Sequence, residues 1–285
     1  MVLEKIKICV MCICVLCVIV LMMGIFCFAS FRIPSNSMEP TLISGDYILV
    51  NKMIKGARLF NIFAAFNKED ITINRAIGYG TFKRNDVLVF NFPYPEGKWD
   101  SIQFDIHKYY VKRCIALPGD TLEIHRGVYN IKGCQDILGN RLAQIQISLL
   151  PDSLFPQSIL CAYPQCEKMR WTIKEMGPIP IPGKGQSIEL NDTTVSLYHE
   201  LINWEQRSKL ILKKDTVYMN DSIIKWYCFR ENYYFVAGDN VGSSQDSRYW
   251  GLLPESYIVG KAVLIWKSND ESGKLRWSRI LSKIE

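Results

Sequence analysis

The stretch that decides the fold runs from Ile33 to Leu42 and reads Ile-Pro-Ser-Asn-Ser-Met-Glu-Pro-Thr-Leu. It begins four residues after Ala29, where a long apolar segment ends. Two prolines bracket a pair of serines, and proline fixes the backbone φ angle, so the stretch is predicted to form a rigid turn. We interpret the serine held in this turn, just outside the apolar segment, as a nucleophile.

The apolar segment before the turn spans Ile8 to Ala29 and contains no charged residue. Its 22 residues, rising about 1.5 Å each, are enough to cross a hydrocarbon layer of about 30 Å. We therefore predict a transmembrane helix over residues 8–29. A cleaved signal peptide is the alternative, because Cys27-x-Ala29 offers small residues at a cut site. The apolar run, however, exceeds the usual ~7 to 15 residues of such a peptide.

The charges around this segment favour a cytoplasmic N-terminus only slightly. Two lysines precede the span, Lys5 and Lys7, whereas Arg32, Lys52 and Lys55 follow it. Loops on the cytoplasmic side are enriched in such cations. The resulting prediction is a single-pass protein with residues 1–7 in the cytoplasm.

The composition is that of a folded protein with one sizeable core and a second, smaller unit. The chain has 285 residues, of which 48% are hydrophobic and 22% are charged, with a formal net charge of +6. Lysines and arginines are spread along the chain and form no basic tract, so we predict no nucleic-acid partner. A weakly basic surface also suits anionic lipid.

The cysteines predict neither a disulfide framework nor a metal site. Five of the ten lie in the apolar segment, where cysteine behaves as a small hydrophobic residue. The other five are an odd number, so at least one is unpaired; they are Cys114, Cys134, Cys161, Cys166 and Cys228. Cys161 and Cys166 can pair in an oxidising compartment, and no histidines stand at ligand spacing from them.

Runs rich in β-branched and aromatic residues, bounded by glycine and proline, predict a mainly β fold. The predicted strands are 45–52, 86–93, 109–117, 233–237 and 259–266. Residues 56–81 are an excursion with Phe60, Phe63 and Phe66 at a helical spacing; it either touches lipid or is a loop with a packed aromatic side.

The predicted domain organisation has an insertion between two halves of a β-rich catalytic core. After residue 121 the strand pattern loosens into short runs and turns, with a polar stretch over 198–214 that is compatible with a helix. The units are the N-terminus 1–7, the transmembrane helix 8–29, the first half of the catalytic core 30–121, an inserted cap domain 122–232, and the second half of the catalytic core 233–285.

Two adjacent cations interrupt the apolar strand predicted over 109–117, Lys112 and Arg113. Neighbouring side chains on a strand point to opposite faces, so at least one of them faces the packed side. Burial disfavours the charged form, and a buried lysine readily loses its proton. Lys112 is therefore a candidate base for the serine. The three histidines, at 107, 125 and 199, stand in turns or in loosely patterned sequence and do not favour a Ser-His-Asp triad.

Three motifs, in order, resemble the conserved boxes of bacterial type I signal peptidases. They are Ser-Asn-Ser-Met-Glu-Pro-Thr-Leu at 35–42, Tyr-Val-Lys-Arg at 110–113 followed by Leu-Pro-Gly-Asp at 117–120, and Gly-Asp-Asn at 238–240 continuing to Asp-Ser-Arg-Tyr-Trp-Gly at 246–251. Residues 55–82 and 122–232 match no motif of the family. The resemblance implies the signal-peptidase and LexA-like β fold.

The resemblance also implies a role for each matching residue. Ser37 is the nucleophile and Lys112 the general base of a Ser-Lys dyad. Ser244 orients the lysine amine, and the Ser35 hydroxyl forms the oxyanion hole together with the Ser37 backbone N–H. A structural ion pair, Asp246 with Arg248, braces the last loop. No metal and no cofactor is implied.

Four positions depart from the family pattern without removing a proposed catalytic group. Asn36 and Ala116 each stand where many members have glycine, and Val241-Gly242 replaces a charged pair. Of these, Asn36 adjoins the oxyanion hole, so it is the departure expected to alter the local backbone.

The predicted function is a membrane-anchored serine endopeptidase that removes signal peptides from exported preproteins. Ser37 lies eight residues beyond Ala29, so at about 3.6 Å per residue it stays within about 29 Å of chain from the membrane boundary. We expect a monomer, with the preprotein and membrane lipid as partners and the catalytic domain on the outer, periplasmic side of the inner membrane. Two alternatives remain: a self-cleaving Ser-Lys protease like the LexA-type repressors, and an inert membrane-tethered binding module of the same fold.

Overall fold

The computed structural model describes residues 2–214 and 216–285 of the chain. Within these residues the α-helices are α1 (Val2–Phe26), α2 (Ile62–Phe66), α3 (Arg141–Leu149), α4 (Gln157–Leu160), α5 (Asp192–Gln206) and α6 (Ser247–Trp250). The strands are β1 (Phe28–Arg32), β2 (Asp46–Asn51), β3 (Arg58–Leu59), β4 (Asn74–Arg75), β5 (Val87–Asn91), β6 (Tyr109–Ala116), β7 (Thr121–His125), β8 (Val128–Ile131), β9 (Met176–Pro180), β10 (Ser187–Glu189), β11 (Leu210–Lys213), β12 (Thr216–Met219), β13 (Ser222–Ile223), β14 (Trp226–Cys228), β15 (Tyr233–Ala237), β16 (Leu253–Pro254), β17 (Ile258–Ser268) and β18 (Ser282–Lys283). Short 3-10 turns cover Asp152–Leu154, Val241–Ser243, Glu255–Tyr257 and Trp277–Arg279.

The N-terminal helix α1 is long and apolar enough over Glu4–Phe26 to cross a membrane. It ends three residues before the predicted boundary at Ala29, because Phe28 already pairs with Asn51 of β2. The Lys52 amine donates to the carbonyl oxygens of Gly24 and Ile25 at 2.5 and 2.6 Å. These carbonyls have no partner within the helix, so Lys52 satisfies them and favours termination there.

The main sheet has eight strands and confirms the mainly β fold. Its order is β1-β2-β17-β5-β6-β15-β16, with β18 added on β17, and neighbouring strands are antiparallel. The predicted strand over 233–237 has the bounds of β15, and β6 ends one residue before its predicted end. Strands β1, β16 and β18 were not predicted from the sequence.

Both faces of this sheet are covered. On β5, Val87 and Val89 pack into a smaller cluster with residues of β2 and β17, whereas Leu88 and Phe90 pack into the larger core. A strand buried on both sides reads as a continuous apolar run, as the Val-Leu-Val-Phe sequence of β5 does. The smaller cluster also receives Met38 from the serine turn, so this turn is fixed to one face of the sheet.

The described residues of the insertion, 122–214 and 216–232, build their own small sheets and contribute no strand to the main one. These sheets are β8-β7-β9, whose strand β7 begins at Thr121, β10-β14 and β11-β12-β13. The larger core, however, runs without interruption from Leu88 into Leu122, Tyr198 and Phe229. The insertion therefore shares its hydrophobic core with the catalytic sheet.

The helix predicted in the insertion over 198–214 begins earlier than expected. Helix α5 starts at Asp192 because Asn191 caps it: the Asn191 side chain accepts from the Thr194 N–H, and the Thr194 hydroxyl accepts from the Asn191 N–H. Such reciprocal capping satisfies two backbone donors that lack helical partners. The helix ends at Gln206, followed by Arg207 in a left-handed conformation.

The excursion over 56–81 has the packed aromatic side of one predicted alternative, and contact with lipid stays a prediction. Phe60 packs its ring against Phe104 and Phe66 against His107, which is the packed aromatic side. Phe63, in the one-turn helix α2, is 77% exposed.

Candidate active site

The serine turn connects β1 to β2 and is held at its base by the sheet. The Ile33 N–H donates to the Asp46 carbonyl at 2.8 Å, and the Leu42 N–H donates to the Met38 carbonyl at 2.9 Å. Met38 and Leu42 are fully buried, and each such side chain stabilises the turn by about 2 kcal/mol. Ser37, which precedes Met38, is therefore fixed with its hydroxyl partly open to solvent.

Lys112 lies on β6, 75 residues from Ser37 in sequence, and the two side chains meet. The Lys112 Nζ is 2.6 Å from the Ser37 Oγ. Only 4% of Lys112 is exposed, and this burial lowers the pKa of its amine to about 8. At neutral pH about one molecule in ten then carries the uncharged amine, whose lone pair can accept the hydroxyl proton.

Two hydrogen-bond donors predicted for the oxyanion hole flank the serine hydroxyl. The Ser35 Oγ lies 3.4 Å from the Ser37 Oγ on the exposed side of the turn. Among the residues that the structure describes, the Ser37 N–H has no hydrogen-bond acceptor. The Ser37 N–H is therefore free to bind an oxygen of an incoming ligand, and the Ser35 hydroxyl shares a long hydrogen bond with the Ser37 hydroxyl.

Ser244, Asp246 and Arg248 come together in the last loop, all of them buried. The Ser244 hydroxyl donates to Asp246 Oδ2 at 2.7 Å, and Arg248 donates to both oxygens of Asp246 at 2.8 Å. Within the described chain, Ser244 makes no hydrogen bond to the Lys112 amine, whose side-chain partner is Ser37. The Ser244 hydroxyl is thus directed to the Asp246 carboxylate, and its predicted role in orienting the lysine amine stays a prediction.

The Asp246–Arg248 pair also sets the charge that Lys112 experiences. Burial alone would raise the pKa of Asp246, but the Arg248 charge and hydrogen bonds from Arg248, Gly238 and Ser244 lower it, so the carboxylate is ionised. Asp246 favours the charged form of the Lys112 amine, and Arg248 opposes it. Among the described residues Asp246 forms its ion pair with Arg248, and none is present between Asp246 and Lys112.

The loop over 238–243 contacts the serine turn directly. The Asn240 N–H donates to the Ser37 carbonyl at 3.1 Å, and the Asn240 side chain donates to the Asn36 carbonyl at 3.2 Å. A β-carbon at Gly238 would overlap the Ser37 carbonyl oxygen, so glycine permits this close approach. The Asn36 side chain, which departs from the family pattern, accepts from the Ser243 hydroxyl at 3.2 Å.

Arg113 and Asp239 belong to the site although the sequence predicted no role for either of them. Arg113 donates twice to Asp239, both at 2.7 Å, and also to the Thr41 hydroxyl at 3.2 Å. It further donates to the carbonyl oxygens of Asn85 and Glu285. One side chain therefore joins the serine turn, the last loop and the C-terminus. The sequence could have pointed to them, because Arg113 lies in the motif at 110–113 and Asp239 in the motif at 238–240.

The remaining candidates from the sequence lie outside this cluster. His125 pairs with Glu175 at the surface, and His199 pairs with Glu200. Cys161 and Cys166 are both free thiols in the structure.

Comparison with known proteins gives consistent relatives. A family model described as signal peptidase, peptidase S26, matches residues 6–143 and 179–267, leaving 144–178 of the insertion unmatched. Signal peptidase I of Buchnera aphidicola from Acyrthosiphon pisum is 31% identical over 257 residues, which cover 87% of this chain and 70% of that protein. Signal peptidase I of Pseudomonas aeruginosa is 28% identical over 253 residues, covering 85% and 66%.

A solved structure of a signal peptidase I from Enterococcus faecalis is also similar. It is 18% identical and covers 65% of this chain and 98% of its own, with a TM-score of 0.30. This score is too low to support an argument about the fold, which follows from the chain's own strands.

Proposed function

The chain belongs to the signal peptidase family, peptidase S26, and from this premise we propose that Ser37 and Lys112 form its catalytic dyad. Membership makes the protein a serine endopeptidase that acts on the signal peptides of preproteins. The observation that carries the proposal is the 2.6 Å separation of the Lys112 Nζ and the Ser37 Oγ.

The proposed reaction has two halves that share one base. The uncharged Lys112 amine takes the Ser37 proton while the Oγ bonds to the scissile carbonyl carbon. The resulting ammonium then protonates the departing amine as the peptide bond breaks, leaving an acyl-enzyme. The same amine removes a proton from water as the water attacks the ester carbonyl carbon, and the ammonium returns this proton to the Ser37 Oγ as the ester C–O bond breaks and the second product leaves. Lys112 regains its starting state at the end of the cycle.

Two groups would stabilise the negative oxygen that appears in each half. They are the Ser35 hydroxyl, 3.4 Å from the Ser37 Oγ, and the Ser37 N–H. Donors fixed in place before the reaction stabilise charge that develops only in the transition state. Removing one such donor typically slows acyl transfer by about 10² to 10³.

The proposed substrate site is a cleft between two strand edges. Strand β1 is the last strand of the main sheet, and β15 pairs with β6 only over Arg113–Ala116. Tyr109 and Phe31 bring the free part of β6 and β1 together, with ring centroids 4.9 Å apart. An extended peptide that adds as a strand here would have its scissile bond near Ser37 and small side chains in shallow pockets.

We further propose a single-pass anchor in the inner membrane, with α1 as the span and the monomeric catalytic domain on the periplasmic side. Ile77 and Tyr79 are 100% and 70% exposed. The Tyr79 hydroxyl accepts from Asn51 at 2.9 Å, and Asn51 pairs with Phe28 next to the end of α1. Exposed apolar side chains at the level of the helix end support contact with lipid.

Two substitutions test the dyad. Ser37→Ala and Lys112→Met are each expected to lower the cleavage rate of a preprotein by more than about 10³-fold, because the attack loses its nucleophile or its base. The measurement is cleavage by the purified full chain in detergent micelles.

Matched controls separate chemistry from folding. Lys174→Met removes another buried lysine, which pairs with Asp152, and Ser148→Ala removes an exposed hydroxyl of α3. Both controls should cleave at the rate of the unchanged protein. Full activity of either Ser37→Ala or Lys112→Met would reject the dyad, whereas an unchanged protein that cleaves no preprotein would leave the inert binding module as the alternative.

A further inference from the structure

The insertion reaches the active site through the N-cap of helix α3. Asn140 caps this helix, because its Oδ1 accepts from the Ala143 N–H at 3.3 Å. The other half of the same amide group donates from Nδ2 to the carbonyl oxygen of Asp239 at 3.0 Å. Aspartate would cap a helix equally well, but it has no N–H to donate. Asparagine therefore does two tasks here.

The carbonyl that Asn140 binds belongs to the peptide unit that contacts the nucleophile's own backbone. The Asp239 C=O and the Asn240 N–H form one planar group, and this N–H donates to the Ser37 carbonyl at 3.1 Å. The hydrogen bonds thus run in series from Asn140 through a single peptide plane to Ser37. Each bond in such a series polarises the next and strengthens it.

Asn140 itself is fixed from several sides. Asn85, in the turn before β5, accepts from the Gly139 N–H and donates to the Ile137 carbonyl, both at 2.8 Å. Gln144, fully buried, donates to the Leu138 carbonyl and accepts from the Tyr129 N–H. The segment before Asn140, residues 137–139, is therefore connected by hydrogen bonds to the turn before β5 and, through Gln144, to β8.

From this arrangement we propose that Asn140 is a positioning residue for acyl transfer. By holding the 239–240 peptide plane, it fixes the backbone of Ser37 and so the direction of the Ser37 hydroxyl and N–H. This inference rests on the proposed role of Ser37. It assigns to the insertion a contribution to the chemical step, apart from its contribution to the shared core.

The test is Asn140→Asp in the full chain in detergent micelles. The substitution keeps a helix cap but turns a donor into an acceptor that faces the Asp239 carbonyl. We expect the single-turnover rate of acylation to fall about tenfold, with KM for the preprotein unchanged within about twofold. The midpoint of thermal unfolding should match that of the control.

The control is Asn191→Asp, the same substitution at the N-cap of α5, whose side chain accepts from the Thr194 N–H. It should leave the acylation rate unchanged. If Asn140→Asp does not fold, Asn140→Ser, which also keeps a cap but is too short to reach Asp239, takes its place with the same expectation.

Three results would overturn the inference: an unchanged acylation rate, a raised KM with an unchanged rate, or a loss of rate that follows a loss of thermal stability. Its failure is distinguishable from failure of the dyad. If Ser37→Ala and Lys112→Met are inactive while Asn140→Asp acylates at full rate, only the role of Asn140 is rejected.

Discussion

The two faces of β6 surround two neighbouring buried cations with different partners. Lys112 and Arg113 are both buried, with 4% and 7% exposed. Arg113 forms an ion pair with the buried Asp239, whereas within the described residues Lys112 has no carboxylate within ion-pair distance. The difference teaches that two buried cations of one strand need different surroundings: the permanent charge of an arginine has a carboxylate partner, whereas the lysine, whose pKa burial lowers, has none within ion-pair distance.

The comparison also explains why the base is a lysine. Arginine stays protonated under all ordinary conditions and suits the paired face, where it serves five acceptor atoms. Lysine can give up its proton when it is desolvated, which suits the face of the nucleophile. Exchanging the two residue types would therefore remove both the general base beside Ser37 and the arginine that pairs with Asp239.

The largest expected effect comes from removing the ion pair between Arg113 and Asp239. Asp239→Asn leaves the Arg113 charge buried without its counter-charge, so we expect the free energy of unfolding to fall by about 3 to 5 kcal/mol. Urea unfolding of the full chain in micelles measures it. Asp70→Asn, which removes the exposed partner of Arg207, should cost less than about 1 kcal/mol. Equal losses in both variants would refute the contrast.

A smaller effect of opposite sign is expected on the lysine face. The folded protein lowers the pKa of Lys112 from 10.5 to about 8. Between these values the unfolded chain binds the proton and the folded chain does not, so stability rises with pH through this window. Lys112→Met removes the penalty of burying the charge and should stabilise the protein by about 3 kcal/mol at pH 7.

The gain from Lys112→Met should disappear above pH 10.5, where the lysine is uncharged in both states. Urea unfolding at pH 7 and near pH 11 measures the difference. A gain that persists at high pH would mean that it comes from packing of the methionine and not from loss of a charge.

The smallest effect is the pH dependence of cleavage. The base must be uncharged in the free enzyme, so kcat/KM should rise about tenfold per pH unit and level off above the Lys112 pKa of about 8. Rates on a short peptide substrate between pH 6 and 10 measure this. A profile that still climbs through about 10.4, the value of an ordinary lysine, would show that the base is not desolvated.

Sequence predicted the regions of the fold whose local pattern agrees with their surroundings. The run Tyr233–Ala237 has both β-favouring residues and flanking turn signals, so its bounds were predicted correctly. Phe28 and Ala29 continue the apolar run of the span in sequence, and only the pairing of Phe28–Arg32 with β2 makes this segment a strand. Helix α5 was placed too late because its cap, Asn191 with Thr194, lies outside the polar stretch.

The candidate site divides in the same way. Ser37, Lys112 and the last loop were predicted because each lies in a recognisable motif, and the fold brings them together. Two other contacts of the site could not be predicted. Asn140 donates to Asp239, which is 99 residues away in sequence, and the direction of the Ser244 hydroxyl depends on the conformation of one tight loop. No spacing in the sequence encodes such contacts.

The short join between α1 and β1 has a mechanical consequence. One residue, Cys27, separates them, and its carbonyl accepts from the Lys52 N–H at 2.8 Å. The connection between the helix and the strand is therefore short and fixed. The five residues of β1 then rise about 17 Å. With α1 embedded as proposed, the serine stands at one set height above the lipid. This fixed distance between Ser37 and the bilayer then sets how far beyond its own membrane segment an anchored substrate is cut.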